Sequence, residues 1–343
     1  MSELDLIDSI LRHSLDLQRL SAHEEAQALE ILRQLETELR QLLASNDLTD
    51  AGKREVNALI ADAHEAIASS YAQIPGLLDT HELSLIVANR TADVLRDALP
   101  SVTIPSPERL ASLTKDILID GAPASAWWSR QAEDLQFKFA AQVRQGVLNG
   151  ESLAQITARV VGSEDEPGIL DTSRRNARSL VHSAVMTAAN RARLETYRKN
   201  GRHIAGLRWL ATLDSHTCMQ CAALDGQAWN LDGDKLDGTT ADFQLPPAHF
   251  ACRCVATPIA KGLDDIFGTT GLDEKLKPAV RASSSGPTSA PTFEAFLERQ
   301  SPEFVEEVLG KRRAELYLAG KLTLRDLVSG AGRPLTLDEL RTR

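Results

Sequence analysis

Leu29, Leu32, Leu35, Leu39 and Leu42 recur at three- and four-residue steps, and residues 3–45 around them read as one long helix with a single apolar stripe. What that stripe can pack against is narrowly limited. Tyr71 is the only aromatic residue before Trp127. The N-terminal third must therefore bury Leu, Ile, Val and Ala, which suits long helices packed on one another. Asn46 to Asp50 breaks the pattern. Asp50 is placed to cap a second, Ala-rich helix over about 51–72, which Pro75-Gly76 ends. A third helix is expected over about 80–99, before Pro100. The stripe does not persist through clean heptads, so residues 1–100 read as a helical arm or bundle rather than a strict coiled coil.

Charge separates this segment from the rest. Residues 1–100 hold 18 acidic and eight basic side chains, which is the whole of the formal net charge of −10. Such a balance argues against general DNA binding but leaves room for a local basic face. Hydrophobic residues at 43% and charged residues at 25% are those of an ordinary globular chain, not a disordered or fibrous one. No apolar run approaches the ~18–20 residues of a membrane helix. The acidic start, MSELDLIDSI, does not resemble a secretory signal. The expected compartment is a cytoplasm, or a particle assembled there, with no membrane partner.

Pro105 and Pro107 mark a linker over 101–107, and residues 108–165 read as a helical connector. Within it Ser152 is placed to cap a short helix ending near Gly162. A helix over about Thr172 to Asn200 then carries Arg174, Arg175, Arg178, Arg191, Arg193, Arg198 and Lys199, opposed only by Asp171 and Glu195. These seven are candidate contacts for phosphate or for an acidic partner; a solvated helix face is the plainer reading. His182 on the same helix could serve as a base, but no partner is identifiable from the sequence and the non-functional reading is the plainer one. Ile204 to Thr212 is expected to be a strand, with Leu207, Trp209 and Ala211 on one face, and Val255 to Thr257 a second. Residues 261–291 have the composition of a flexible linker, ending in a Ser, Gly and Pro-rich stretch. Residues 292–343 form a small helical tail, with amphipathic patterns over about 293–309 and 311–319. The tail is too short for a core of its own, so it must dock on the main body or on a partner. The fold class is mainly α with a small α+β core, in which a basic helix packs on a short sheet.

All four cysteines fall between 218 and 254. The pattern is Cys218-x2-Cys221, then His249-x2-Cys252-x-Cys254. Close pairs separated by a loop suit a tetrahedral ion with thiolate and imidazole ligands, so a structural zinc knuckle is expected. Five candidates compete for four places: Cys218, Cys221, Cys252 and either Cys254 or His249. Unliganded thiols and short disulfides are the other readings. Arg253 is expected to point away or to meet an acid. No His-x-Glu lies close before the cysteines, the one at His23-Glu24-Glu25 being far upstream, and no His-Glu-x-x-His occurs, so a catalytic metal is disfavoured. Asp214 and Asp225 read as turn residues. The loop from Asp232 to Gly238 misplaces the third acid of a calcium loop and reads as solvated. No catalytic residue is assigned.

The stretch Arg178-Ser-Leu-Val-His-Ser-Ala-Val-Met-Thr-Ala-Ala-Asn190-Arg-Ala-Arg193, with Tyr197, Trp209-x-Ala-Thr-Leu-Asp214, Thr217-Cys218-x-x-Cys221-x-x-Leu-Asp-Gly226 and Pro246-Pro247-x-His249-x-x-Cys252-Arg-Cys254, resembles the phage Mu F-like head morphogenesis family. The resemblance covers about 170–260. It extends into the tail at Phe293-x-x-Phe-Leu, Val308-Leu-Gly310, Leu316-x-x-x-Gly320-Lys and Leu335-Thr-Leu-Asp-Glu-Leu340. It implies a minor head protein of the virion, incorporated near the portal inside the capsid. The implied partners are the portal protein, the major capsid or scaffolding protein, and packaged double-stranded DNA. The implied role is head assembly, DNA packaging or DNA delivery. A metal-assisted nuclease or a DNA-binding module are the alternatives. Val181-His182-Ser183 stands where many relatives carry a Thr-Glu pair.

Overall fold

The computed structural model describes residues 3–261 apart from 47, 49–51, 116, 164 and 237, then 281–288 apart from 285, and 292–341. Asp50, Asp237 and most of the expected linker thus lie outside the described residues. The first helix, α1 (Glu3–Ala44), follows from the leucine spacing, but its buried line is Ala28, Leu32, Leu35, Leu39 and Leu43. Leu29 and Leu42 sit at the margin of that line, half-buried. The next helices are α2 (Lys53–Gln73) and α3 (Thr80–Arg96), the latter begun by Asp79, whose carboxylate accepts the N–H groups of His81 and Glu82. Ser106 caps α4 (Pro107–Thr114). A two-residue ribbon, β1 (Leu118–Ile119) and β2 (Ala122–Pro123), leads to α5 (Ala124–Leu148). Ser152 and Gln155 form a capping box at α6 (Leu153–Val161), which ends before Gly162 as the sequence implied.

The long helix α7 (Ile169–Lys199) is the centre of the molecule. From Ser183 to Ala189 every residue is buried. Its small side chains Ala177, Ala184, Ala188, Ala189 and Ala192 let α1, α3 and α5 approach closely, and one apolar cluster runs through all of them. Residues 1–100 and 108–165 therefore share a core with α7. Tyr71 of α2 and Trp128 of α5 meet within it, ring centres 6.3 Å apart.

The sheet is built from β3 (Ile204–Leu210), β4 (Ala228–Asn230) and β5 (Val255–Ala260), antiparallel in the order β4-β3-β5. A short helix, α8 (Met219–Leu224), lies between β3 and β4. Leu207, Trp209 and Ala211 do share one apolar cluster, as period-two patterning predicts. Leu210 and Val255 face the other way, against Ile7 and Ile10 of α1. Gly206 lies opposite Asn230, where a Cβ would come within 2.1 Å of the Trp229 carbonyl oxygen.

The C-terminal segment covers the remaining face of the sheet. The 293–309 pattern is two helices rather than one, α9 (Phe293–Leu297) and α10 (Pro302–Leu309). Ser301 caps the second and Pro302 occupies its first turn, so the first helix cannot run through. With α11 (Lys311–Leu318) and α12 (Leu337–Arg341) they pack Phe293, Phe296, Leu297, Val305 and Leu309 on Trp209 and Trp229. Inside the stretch expected to be a flexible linker, β6 (Arg281–Ser283) and β7 (Gly286–Thr288) form a ribbon. Arg281 is buried there, so this part is anchored, and the reason is an acid that local composition does not reveal. No helix among the described residues is long and apolar enough to cross a membrane.

Candidate metal centre

Two segments converge on the edge between the sheet and α7. Cys218 is the N-cap of α8, its Sγ receiving the Cys221 N–H at 3.5 Å, so Cys221 follows one turn inside the helix. The second segment is the loop from Pro246 to Cys254, which contains a cis Pro246-Pro247 bond and enters β5. Ala251 in that loop has φ 57°, a left-handed conformation unusual for a residue with a Cβ. Helix α7 holds it there. Ser183 Oγ accepts the Ala251 N–H at 3.1 Å, and His182 Nε2 donates to the Cys252 carbonyl at 3.1 Å. On its other side the His182 ring meets Ser21 Oγ of α1 at 3.3 Å. With the Glu25 carboxylate 3.8 Å away as well, His182 has three partners that no local sequence signal identifies.

This arrangement brings all five sequence-predicted ligands together. His249 Nε2 lies 3.1 Å from Cys218 Sγ and 3.2 Å from Cys221 Sγ. Cys221 Sγ lies 3.6 Å from Cys252 Sγ. Cys218, Cys221 and His249 form one group able to hold a metal ion, and Cys221, Cys252 and Cys254 form another. A tetrahedral ion bound at ~2.0–2.3 Å spaces its ligand atoms about 3.3–3.8 Å apart, close to these separations. The His249 Nδ1–H donates to the Phe250 carbonyl at 2.8 Å, which leaves Nε2 to face the sulfurs. None of the four cysteines is disulfide-bonded. Cys221, Cys252 and Cys254 are buried, whereas Cys218 and His249 are half-buried.

The electrostatics divide the four cysteines, drawing Cys218 and Cys252 towards thiolate and holding Cys221 and Cys254 as thiols. Hydrogen bonding from Cys221, then from His249, pulls Cys218 down to about 4. Cys252 is drawn down by hydrogen bonds from Cys221 and Cys254. Hydrogen bonding to Cys218 and Cys252 pushes Cys221 up, and burial pushes Cys254 up. Hydrogen bonds to Cys218 and Cys252 raise His249 to about 11. A metal ion bound here would displace the thiol and imidazolium protons and be held by the thiolates.

Two acids near the cluster are already engaged. Arg253 meets the Asp214 carboxylate through two bonds of 2.7 and 2.8 Å, the second of the two placements expected of it. Asp225 is more than a turn residue. Its buried carboxylate accepts the N–H groups of Ala211 and Phe293, both at 2.6 Å, and pairs with Arg281 at 2.8 Å.

The seven basic residues of α7 do not line one face. Arg174 pairs with Asp171 and with Glu36 of α1, and Arg191 donates to the Leu113 carbonyl at 3.2 Å. Arg193 is fully buried. Arg175 and Arg178 are exposed near the start of the helix, Arg198 and Lys199 in its last turn.

Residues 138–257 match the family model described as Phage Mu protein F like protein. The matched span runs from within α5 through the basic helix and the whole Cys/His cluster and ends inside β5, the last strand of the sheet. No curated protein and no solved structure matches the chain.

Proposed function

From residues 138–257, which make this a phage Mu F-like, head-related chain, we propose that it acts as a minor head protein in procapsid morphogenesis. It sits near the portal inside the capsid and assists DNA packaging or delivery. The matched family segment carries this reading. Its partners are the portal protein and the major capsid or scaffolding protein. Packaged duplex DNA is a further partner, met through exposed Arg175, Arg178, Arg198 and Lys199 as phosphate contacts rather than by base reading.

In this reading the cluster is a structural zinc knuckle held by Cys218, Cys221, His249 and Cys252. The oriented Nε2 supports His249 as the fourth ligand, which leaves Cys254 outside the set. Zinc there would cross-link α8 to the loop before β5. A catalytic zinc needs an open position and a nearby base. Asp214 and Asp225 are spent on Arg253 and Arg281, which supports a structural rather than an enzymatic role.

The test is assembly of procapsids from the cognate capsid and scaffolding proteins with this chain, with and without the portal protein. Incorporation that requires the portal is expected. Equal incorporation without it, or none with it, rejects the portal-proximal role.

A further inference from the structure

We propose that the layer between α1, α3 and α7 around Arg193 binds a buried monovalent anion of the halide class. Arg193 has no exposed surface, and its Nε, Nη1 and Nη2 have no hydrogen-bond partner. Its position follows from helical register. Tyr197, one turn further along α7, packs with Leu6 of α1 and Leu95 of α3. One turn back from Leu95 is Thr91, and Arg90 beside it reaches Asp16 of α1 at 3.3 Å. Helices α1 and α3 therefore run antiparallel here, and His13 of α1 lies within the field of Arg193. Thr91 Oγ1, Ser14 Oγ and His13 Nδ1 are likewise buried without a partner.

The layer holds hydrogen-bonding groups and one positive charge. A guanidinium does not give up its proton under these conditions, and an unpaired buried charge is strongly unfavourable. Among the described residues no carboxylate compensates it. Asp16 turns outward to Arg19 and Arg90, and Glu195 is held by Arg109. Burial keeps the Tyr197 phenol neutral, and its hydroxyl donates to the Ala256 carbonyl. Water would satisfy the N–H groups but not the charge. One negative charge is required, and an enclosed interhelical layer admits a single-atom ion more readily than a phosphate.

Thermal melting of the full chain in sodium chloride, against sodium gluconate at equal ionic strength, tests this. Wild-type melting temperature should rise by about 2 °C per tenfold increase in chloride, and that of Arg193→Met should not. Crystals grown in bromide should show an anomalous peak within hydrogen-bond distance of the Arg193 guanidinium. An equal chloride response in the two proteins overturns the proposal. So does an Arg193→Met protein more stable than wild type in both salts, since the charge would then be uncompensated. A bromide peak without any melting response marks an adventitious ion only and also overturns it. Should Arg193→Met fail to fold, the bromide peak and a weakened chloride response in Thr91→Val decide; absence of either is a rejection.

Discussion

Arg281 closes on the Asp225 carboxylate through Nη1 at 2.8 Å and Nη2 at 2.9 Å, with both side chains buried. The same carboxylate takes the backbone N–H of Ala211 at the end of β3 and of Phe293 at the start of α9. One acid thus joins the sheet to the C-terminal helices across 68 residues of sequence. Removing it strips a buried guanidinium of its carboxylate and leaves two buried N–H groups without their acceptor. Asp225→Ala should cost about 3–5 kcal/mol, as for other broken buried pairs. Chemical denaturation of the two proteins measures this, and a loss below ~1 kcal/mol would show that the anchor is dispensable.

The tail carries a related expectation. It packs Phe293, Phe296, Leu297, Val305 and Leu309 on the fully buried Trp209 and Trp229. A chain ending at Pro287 would leave both indoles facing water, so it should aggregate or show enhanced dye binding. A soluble fragment with the wild-type melting temperature would mean that the helices add nothing to the core.

Metal content separates the cysteines. Cys221→Ser and Cys252→Ser remove sulfurs 3.6 Å apart at the centre of the cluster and should abolish bound zinc and lower the melting temperature. Cys254→Ser should retain about one equivalent, since in this reading Cys218, Cys221, His249 and Cys252 fill the four places. Elemental analysis beside a thiol count reads both outcomes. Metal loss in Cys254→Ser together with retention in a His249→Ala protein would transfer the fourth place to Cys254.

How far the sequence reached depends on the range of each interaction. Period-two spacing placed Leu207, Trp209 and Ala211 on one face, and cysteine spacing gathered the five candidate ligands, because both signals are local. The α1 stripe was displaced by one position at each end, since Ala28 and Leu43 turn inward when α2 and α7 close on it. Asp225-Gly226 looks like any turn, and Arg281 sits beside a Ser and Gly-rich stretch; only the fold pairs them. Arg193 looked like one of seven surface cations. Its burial depends on α1 and α3 arriving from far earlier in the chain.

Gly206 has no conformational excuse for being glycine, as its need is steric. A Cβ there would meet the Trp229 carbonyl oxygen at 2.1 Å, and backbone cannot swing aside as a side chain can. Gly206→Ala should separate β3 from β4 and cost about 2–3 kcal/mol, the scale of overpacking in a tight core. Trp229, buried with its Nε1–H on the Ala241 carbonyl at 3.1 Å, should report the change as a red-shifted emission. An unshifted spectrum with unchanged stability would show that the strands have slack.

His13 gives the chain an acid limb that can be measured. Burial first, then the charges of Arg193 and Arg90, lower it to about 4 from an ordinary 6.5. The unfolded chain therefore binds the proton more tightly than the folded one. Stability from the neutral, buried ring is present above about 6.5 and is lost as pH falls towards 4. The span corresponds to about 3 kcal/mol at ~1.36 kcal/mol per pH unit. In halide-free buffer, unfolding free energy should fall between pH 7 and pH 4.5 more steeply in wild type than in His13→Gln. Parallel slopes for the two proteins would mean that another group sets the acid limb.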